Sequence, residues 1–266
     1  MKAGVGYGSV NGNVRLNPGR RMLQSVQTAL SVFEKVAVAQ PIGVSELARE
    51  LGLTKSTVQR CLVTLHEAGW IRPEGKEQTR WVITSKCFSL GRRVGDVPRL
   101  REVAARWMEQ LRTESRESIH LVLPEGRDAV AMEALESPHT LRIFWPVGAR
   151  APLHVTAAGK AMLSRYAEED LEAYLSKGLE PTTRSSITDA RKLRAELKLT
   201  RERGWASTED ELTEGACSVA AAILDRQGRP IASLSISGPT LRMGRSVREA
   251  YGKHVRRAAE EIGREL

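Results

Sequence analysis

The chain has 266 residues, of which 41% are hydrophobic and 27% charged, and a formal net charge of +9. That length and apolar content suit two domains with real cores. No apolar run of spanning length and no signal-peptide pattern occurs, so a cytoplasmic protein without a membrane partner is expected.

The charge is unevenly placed. Residues 1–95 hold 14 Lys and Arg against six Glu and no Asp, so nearly all of the net charge falls in the first third. A basic module joined to an almost neutral one points to polyanion binding by the first and a different task for the second. Three cysteines, Cys61, Cys87 and Cys217, lack CxxC or Cys/His ligand spacing, which argues against zinc and against a disulfide framework.

Residues 1–20 are rich in Gly and Asn, lack periodicity and read as a mobile basic tail. In that tail and just past it, Arg15, Arg20 and Arg21 either brush a DNA backbone or are merely solvated. The module proper is expected over residues 21–95. Residues 25–39 read as a helix with Val26, Ala29, Leu30, Phe33 and Val36 on one face, ended by Pro41 and Gly43.

Residues 44–70, VSELARELGLTKSTVQRCLVTLHEAGW, read as two short helices joined by a tight turn. Ser45 is placed to cap the first helix. Gly52 suits the positive φ at its end, and Thr54 is placed to cap the second. Val58, Cys61, Leu62 and Leu65 form one buried stripe of that second helix. Lys55, Ser56, Thr57, Gln59, Arg60 and Thr64 occupy the other face, where a recognition helix meets base edges and phosphates. A plain helical hairpin with a solvated face is the bland alternative. The next stretch weighs against it, because residues 70–73 and 80–84 read as two short strands around a polar loop containing Gly75. That hairpin is the wing of a winged helix-turn-helix, with Lys76 and Arg80 placed to touch phosphate.

Residues 85–94 read as a short helix, and residues 95–98 break the pattern at a domain boundary. A linker helix follows, residues 96–117, with Leu100, Val103, Ala104, Trp107, Met108 and Leu111 on its buried side. From Ser118 the period shortens to about 2. Residues 119–123, 129–135 and 141–145 read as strands, followed by helices at 157–166, 168–177 and 189–203, the last capped by Thr188. Two more strands, 219–224 and 231–237, flank a turn at 225–230, and a final helix covers 245–266. Residues 118–266 thus make an α+β sandwich.

Enzyme motifs are missing. There is no GxSxG elbow, no HExxH and no GxGxxG after a strand. His66, His120, His139, His154 and His254 stand isolated, His154 being the one nearest the presumed pocket. No catalysis, cofactor or metal is expected.

With these residues in view, the chain from about Gln24 resembles the isocitrate lyase regulator (IclR) family of bacterial transcription factors. Besides the helix-turn-helix, GARAPLHVTAAGKAML (148–163) and EGACSVAAAILDRQGRPIASLSISGPTLRM (214–243) carry the resemblance. It implies a GAF-like C-terminal domain that binds a small-molecule metabolite effector. It also implies homodimers, often paired into tetramers, on double-stranded operator DNA, with repression the favoured outcome. Carried over by position, the effector-binding residues are Ala157, Ala158, Ala216, Ser218, Ser235 and Ser237, with Leu141 and Ile143 as an apolar wall. In some members that bind small keto acids an Asp stands where this chain has Thr208, followed by Glu209, Asp210 and Glu211. Plain core filling stays open for Ala157 and Ala158. It is a poorer account of Ser235 and Ser237, whose hydroxyls share one strand face and need partners if buried. The rival function is a DNA-binding protein whose second domain only oligomerises, its pocket filled by bulky side chains.

Overall fold

A computed structural model of the chain describes residues 23–75, 78–91 and 97–266. The expected tail, with Arg15, Arg20 and Arg21, and the expected phosphate contact Lys76 lie outside the described residues. The chain divides within residues 92–96 into two compact units.

The first unit runs α1 (Gln24–Ala39), α2 (Val44–Leu51), α3 (Lys55–Glu67), β1 (Ile71–Glu74), β2 (Arg80–Ile83) and α4 (Lys86–Gly91). Ser45 is not the cap of α2, which begins one residue before it. Glu46, the third helical residue, reaches back so that its Oε2 accepts the Gly43 N–H at 3.1 Å. Gly52 closes α2 at φ 63°, the left-handed geometry that favours glycine. Thr54 caps α3 by accepting the Thr57 N–H at 3.2 Å. Val32, Val36, Leu47, Val58, Leu62 and Leu65 form the core between the three helices. The expected stripe on α1 is shifted, since Val26 and Leu30 are exposed and Val32 and Val36 are buried. Cys61 is only half-buried. β1 and β2 pair antiparallel from Ile71↔Ile83 to Glu74↔Arg80, and Ile42 bridges to Trp81 at the wing's base.

The second unit runs α5 (Val97–Ser115), β3 (Ser118–Glu125), β4 (Asp128–Leu135), β5 (Arg150–Pro152), a 3-10 turn (Leu153–Val155), α6 (Ala157–Leu163), α7 (Glu168–Leu175), α8 (Ala190–Arg203), β6 (Ala206–Glu209), β7 (Ala216–Leu224), β8 (Pro230–Pro239) and α9 (Arg245–Glu265). The strands form an antiparallel sheet in the order β5-β4-β3-β8-β7-β6. Strand alternation gives this sheet two different faces. On one, Ile119, Leu121, Val219, Leu234 and Ile236 meet Leu100, Ala104, Met108 and Leu111 of α5 and Val255, Ala259 and Ile262 of α9. The buried side expected for the linker helix thus packs into this unit's core. On the other face Val122, Ala206 and Ala220 meet α6, α7 and α8. α6 also sits tightly on the turn before it, where a Cβ on Gly159 would lie 2.1 Å from the Leu153 carbonyl oxygen.

Three local expectations are corrected. Residues 141–145 form no strand, because the outer edge of β4 is taken by Arg150–Pro152. Asp189, not Thr188, caps α8, its Oδ1 accepting the Lys192 N–H at 2.9 Å. β6 is an additional edge strand. Among the described residues no helix is long and apolar enough to cross a membrane.

Candidate functional site

In the first unit, the α3 surface opposite the core presents Lys55, Ser56, Gln59, Arg60 and Thr64, all exposed, with Thr57 half-buried. The steps of one, three and four between them keep these positions on one side of a helix. Two of the hydroxyls are used locally. Thr57 Oγ1 lies 2.9 Å from Thr54 Oγ1, and Thr64 Oγ1 donates to the Arg60 carbonyl at 3.0 Å. That leaves the longer Lys55, Gln59 and Arg60 to reach outward. Arg80 has an internal use that the sequence did not reveal. Its Nη1 donates to the Pro41 carbonyl at 2.9 Å and to Glu46 Oε2 at 3.3 Å, tying the wing to the start of α2. The Gly43 N–H and the Arg80 guanidinium together hold the Glu46 carboxyl below its usual range.

In the second unit Thr208, Ser218, Ser235 and Ser237 lie on the α6 face of the sheet. Thr208 pairs with Ser218 across β6 and β7, Ser218 with Ser237 across β7 and β8, and Ser237 with Ser118 across β8 and β3. Four hydroxyl residues thus form a row across four strands. Ser218 Oγ donates to Ser237 Oγ at 2.8 Å. The adjacent row is Ala206, Ala220, Ser235 and His120. Ala216, half-buried, starts β7 on the same face as Ser218, and Ala157 and Ala158 are buried at the start of α6.

The loop at residues 136–149 runs along the β3 side of these rows. The Ile143 carbonyl accepts from Ser118 Oγ at 2.8 Å, and the Trp145 ring meets the His120 ring edge-on at 5.7 Å. The Leu141 carbonyl accepts from Arg242 Nη2 at 2.9 Å, and Arg242 also grips Glu117 through two bonds of 2.6 and 2.8 Å. Ile143 is half-buried, but the Leu141 side chain is 60% exposed, so it forms no wall here. Leu141 serves through its backbone instead.

Ser118 and His120 were missed as site residues. Their i, i+2 spacing put them on one face of β3, but only the pairing of β3 with β8 shows which face. His120 is 2% exposed, its Nδ1 has no hydrogen-bond partner, and burial lowers its pKa to about 4. An unsatisfied buried nitrogen in a polar row calls for a water or a ligand. His154 differs. Its Nδ1 lies 2.8 Å from the Tyr174 hydroxyl and its Nε2 3.0 Å from the Glu180 carbonyl, so its nitrogens dock α7 and the segment that follows it. Behind the row, Lys160 of α6 is buried and its Nζ donates to both Glu211 oxygens at 2.5 and 2.6 Å. Burial pushes the Glu211 carboxyl upward by more than Lys160 draws it down.

Ser235 and Ser237 are only 4% and 5% exposed. Two cavities of about 420 and 590 Å³ open on this unit, and neither is bordered by the serine row. Among the described residues no cluster of three His, Cys, Asp or Glu is placed to hold a metal ion.

Residues 25–75 match the IclR helix-turn-helix domain, and residues 94–264 match the C-terminal domain of the bacterial transcriptional regulator IclR. The transcriptional repressor IclR of Escherichia coli (strain K12) is 30% identical over 249 residues, covering 92% of this chain and 90% of that protein. The crystal structure of Thermotoga maritima IclR matches with a TM-score of 0.76 at 28% identity, over 92% of this chain and 99% of that one. An IclR homolog from Microbacterium hydrocarbonoxydans, complexed with 4-hydroxybenzoate, matches with a TM-score of 0.74 at 24% identity, over 91% of this chain and 100% of that one.

Proposed function

The chain belongs to the IclR family of bacterial transcriptional regulators, and we propose that it is a repressor that reads operator DNA through α3 and answers to a small effector on the serine row. It is a regulator and not an enzyme. The observation that carries the effector assignment is the register Thr208–Ser218–Ser237–Ser118, with the unsatisfied His120 beside it. Hydroxyls donate to a carboxylate or a phenol without a formal charge, and no cationic side chain stands in either row. A small monocarboxylate, aliphatic or aromatic, fits this chemistry better than a polyanion does. The 4-hydroxybenzoate bound by the Microbacterium relative belongs to that class. Homodimers, alone or paired into tetramers, would present two α3 helices to the half-sites of a palindromic operator.

The closed row favours a second reading, in which this unit only assembles the protein. A ligand would have to displace part of the loop at 136–149. One experiment separates the two readings. The full-length protein is screened by thermal shift against small carboxylates, including 4-hydroxybenzoate, and any hit is tested on Ser237→Ala and on operator binding. A hit that stabilises the parent, loses at least tenfold in affinity with Ser237→Ala and changes operator affinity supports the effector site. A hit that stabilises both proteins equally, or the absence of any hit, supports the assembly reading.

A further inference from the structure

The second unit holds another polar cavity that neither operator binding nor the serine row uses. It measures about 420 Å³ and lies at the opposite end of β7, by the turn at 225–230. Ala222 on its wall shares a face with Ser218 but is four residues further along the strand, roughly 13 Å away at ~3.3 Å per residue. The space exists for two reasons. β6 stops at Ala206 opposite Ala220, which leaves the outer edge of β7 from Ala221 onward without a partner strand. The elements around that gap then contribute small residues to its wall, among them Ala161, Gly204, Ala259 and Gly263.

The charges around the cavity do not balance. Arg165, Arg226, Arg256 and Arg264 line it, with Asp225 and Glu260 as the carboxylates. Both carboxylates already have partners: Asp225 Oδ2 accepts from Arg229 at 2.8 Å and Glu260 Oε1 from Arg256 at 2.7 Å. Arg264 pairs with Glu261 at 2.5 Å. Among the described residues no carboxylate forms an ion pair with Arg165 or Arg226. Arg165 is half-buried, and burial together with the neighbouring Arg201 and Arg256 pushes its guanidinium below the ordinary value. Glu260 opposes that shift only in part, being paired with Arg256. A half-buried cation without an ion pair of its own is costly to the fold, and guanidinium forks match phosphate and carboxylate oxygens.

We propose that this cavity is a second ligand site, taking a small dianion such as a phosphorylated metabolite or a dicarboxylate between Arg165 and Arg226. Its volume lies within the range of metabolite pockets. Its chemistry is the reverse of the serine row, which offers hydroxyls and no cation. The two sites are joined by α6, which begins at Ala157 and Ala158 and ends just before Arg165.

The test is titration calorimetry of the full-length protein with inorganic phosphate and, separately, with malonate. One saturable event per chain is expected, weakened at least tenfold in both Arg165→Ala and Arg226→Ala. Arg226 is exposed on a turn, so its variant reports binding even if Arg165→Ala folds poorly. Saturation by phosphate alone assigns phosphorylated ligands, and saturation by malonate alone assigns dicarboxylates. The proposal is overturned if neither anion saturates below about 10 mM, or if both variants bind like the parent. It is also overturned if Arg165→Ala changes only the sedimentation behaviour, which would make the cavity a contact between copies.

Discussion

Neutral imidazole is the form of His120 that its surroundings tolerate, because the side chain is buried against Trp145 and its pKa falls to about 4. The unfolded chain takes up that proton near pH 6.5, the ordinary value, so between the two values the unfolded state binds more protons. The resulting stability is present above 6.5 and is lost as the pH falls toward 4, about 3 kcal/mol in all. Denaturant titrations at pH 7 and pH 4.5 should show this loss in the parent and a flatter dependence in His120→Phe. Equal slopes would mean that another group titrates. Lys160 and Glu211 present a different balance. Removing one of two buried charges strands the other, at about 3–5 kcal/mol, whereas replacing both can be neutral. Lys160→Met should therefore lower stability sharply, and Lys160→Met with Glu211→Leu should recover most of it in the same titrations. A double variant no better than the single would show that the pair's geometry matters more than its charge.

At the scale of elements, the close seat of α6 rests on Gly159. Its missing Cβ would meet the Leu153 backbone at 2.1 to 2.5 Å, and backbone on both sides cannot yield. Gly159→Ala should cost about 1–3 kcal/mol or more, read as a Tm lowered by at least roughly 2 °C. Gly244→Ala is the control, since nothing lies within 4 Å of its Cβ and its φ of −59° suits any residue. Equal losses in the two variants would refute the close-packing account of α6. The wing poses a choice between two uses of Arg80. If it acts only as the tie to Pro41 and Glu46, Arg80→Ala weakens operator binding without altering its salt dependence. If it also touches phosphate, the slope of log K against log[salt] falls by about one unit. The internal bonds favour the unchanged slope.

Across the whole molecule, positive charge is concentrated in the DNA-reading third, while the remainder is nearly neutral. Operator affinity should accordingly fall steeply with salt, whereas effector affinity on the uncharged serine row should barely change. Among the α3 side chains, Arg60 is long and exposed, and arginine pairs well with guanine. Arg60→Ala should cost about 1–3 kcal/mol and relax the preference at one position of each half-site. Binding selections that return the parental motif at full stringency would confine Arg60 to the backbone. An effector can shift operator affinity only by preferring one arrangement of the protein, and a 5- to 150-fold shift, about 1–3 kcal/mol, is the usual scale of such coupling.

What was legible in the sequence is what acts over a few residues. Thr54 and Gly52 mark helix ends through their own hydroxyl and φ, and Ser235 and Ser237 share a face because a strand alternates. The winged helix-turn-helix follows from such local rules, whereas the effector residues on the two motif stretches came from the resemblance to the family. Even there a competing neighbour can win, as Glu46 reaching back to Gly43 displaced Ser45, and Asp189 displaced Thr188. The rest depended on partners far along the chain. Ser118 meets Ser237 and His120 meets Ser235 only because β3 pairs with β8, and Arg80 finds Pro41 and Glu46 only when the wing folds back. Residues 141–145 lost their strand because Arg150–Pro152 took the edge of β4 first. The partner of the linker helix's buried side, and the exposure of Val26, Leu30 and Leu141, were likewise decided by which surfaces the fold brought together. Hydropathy states that a side chain prefers to be covered, and only tertiary packing supplies the cover.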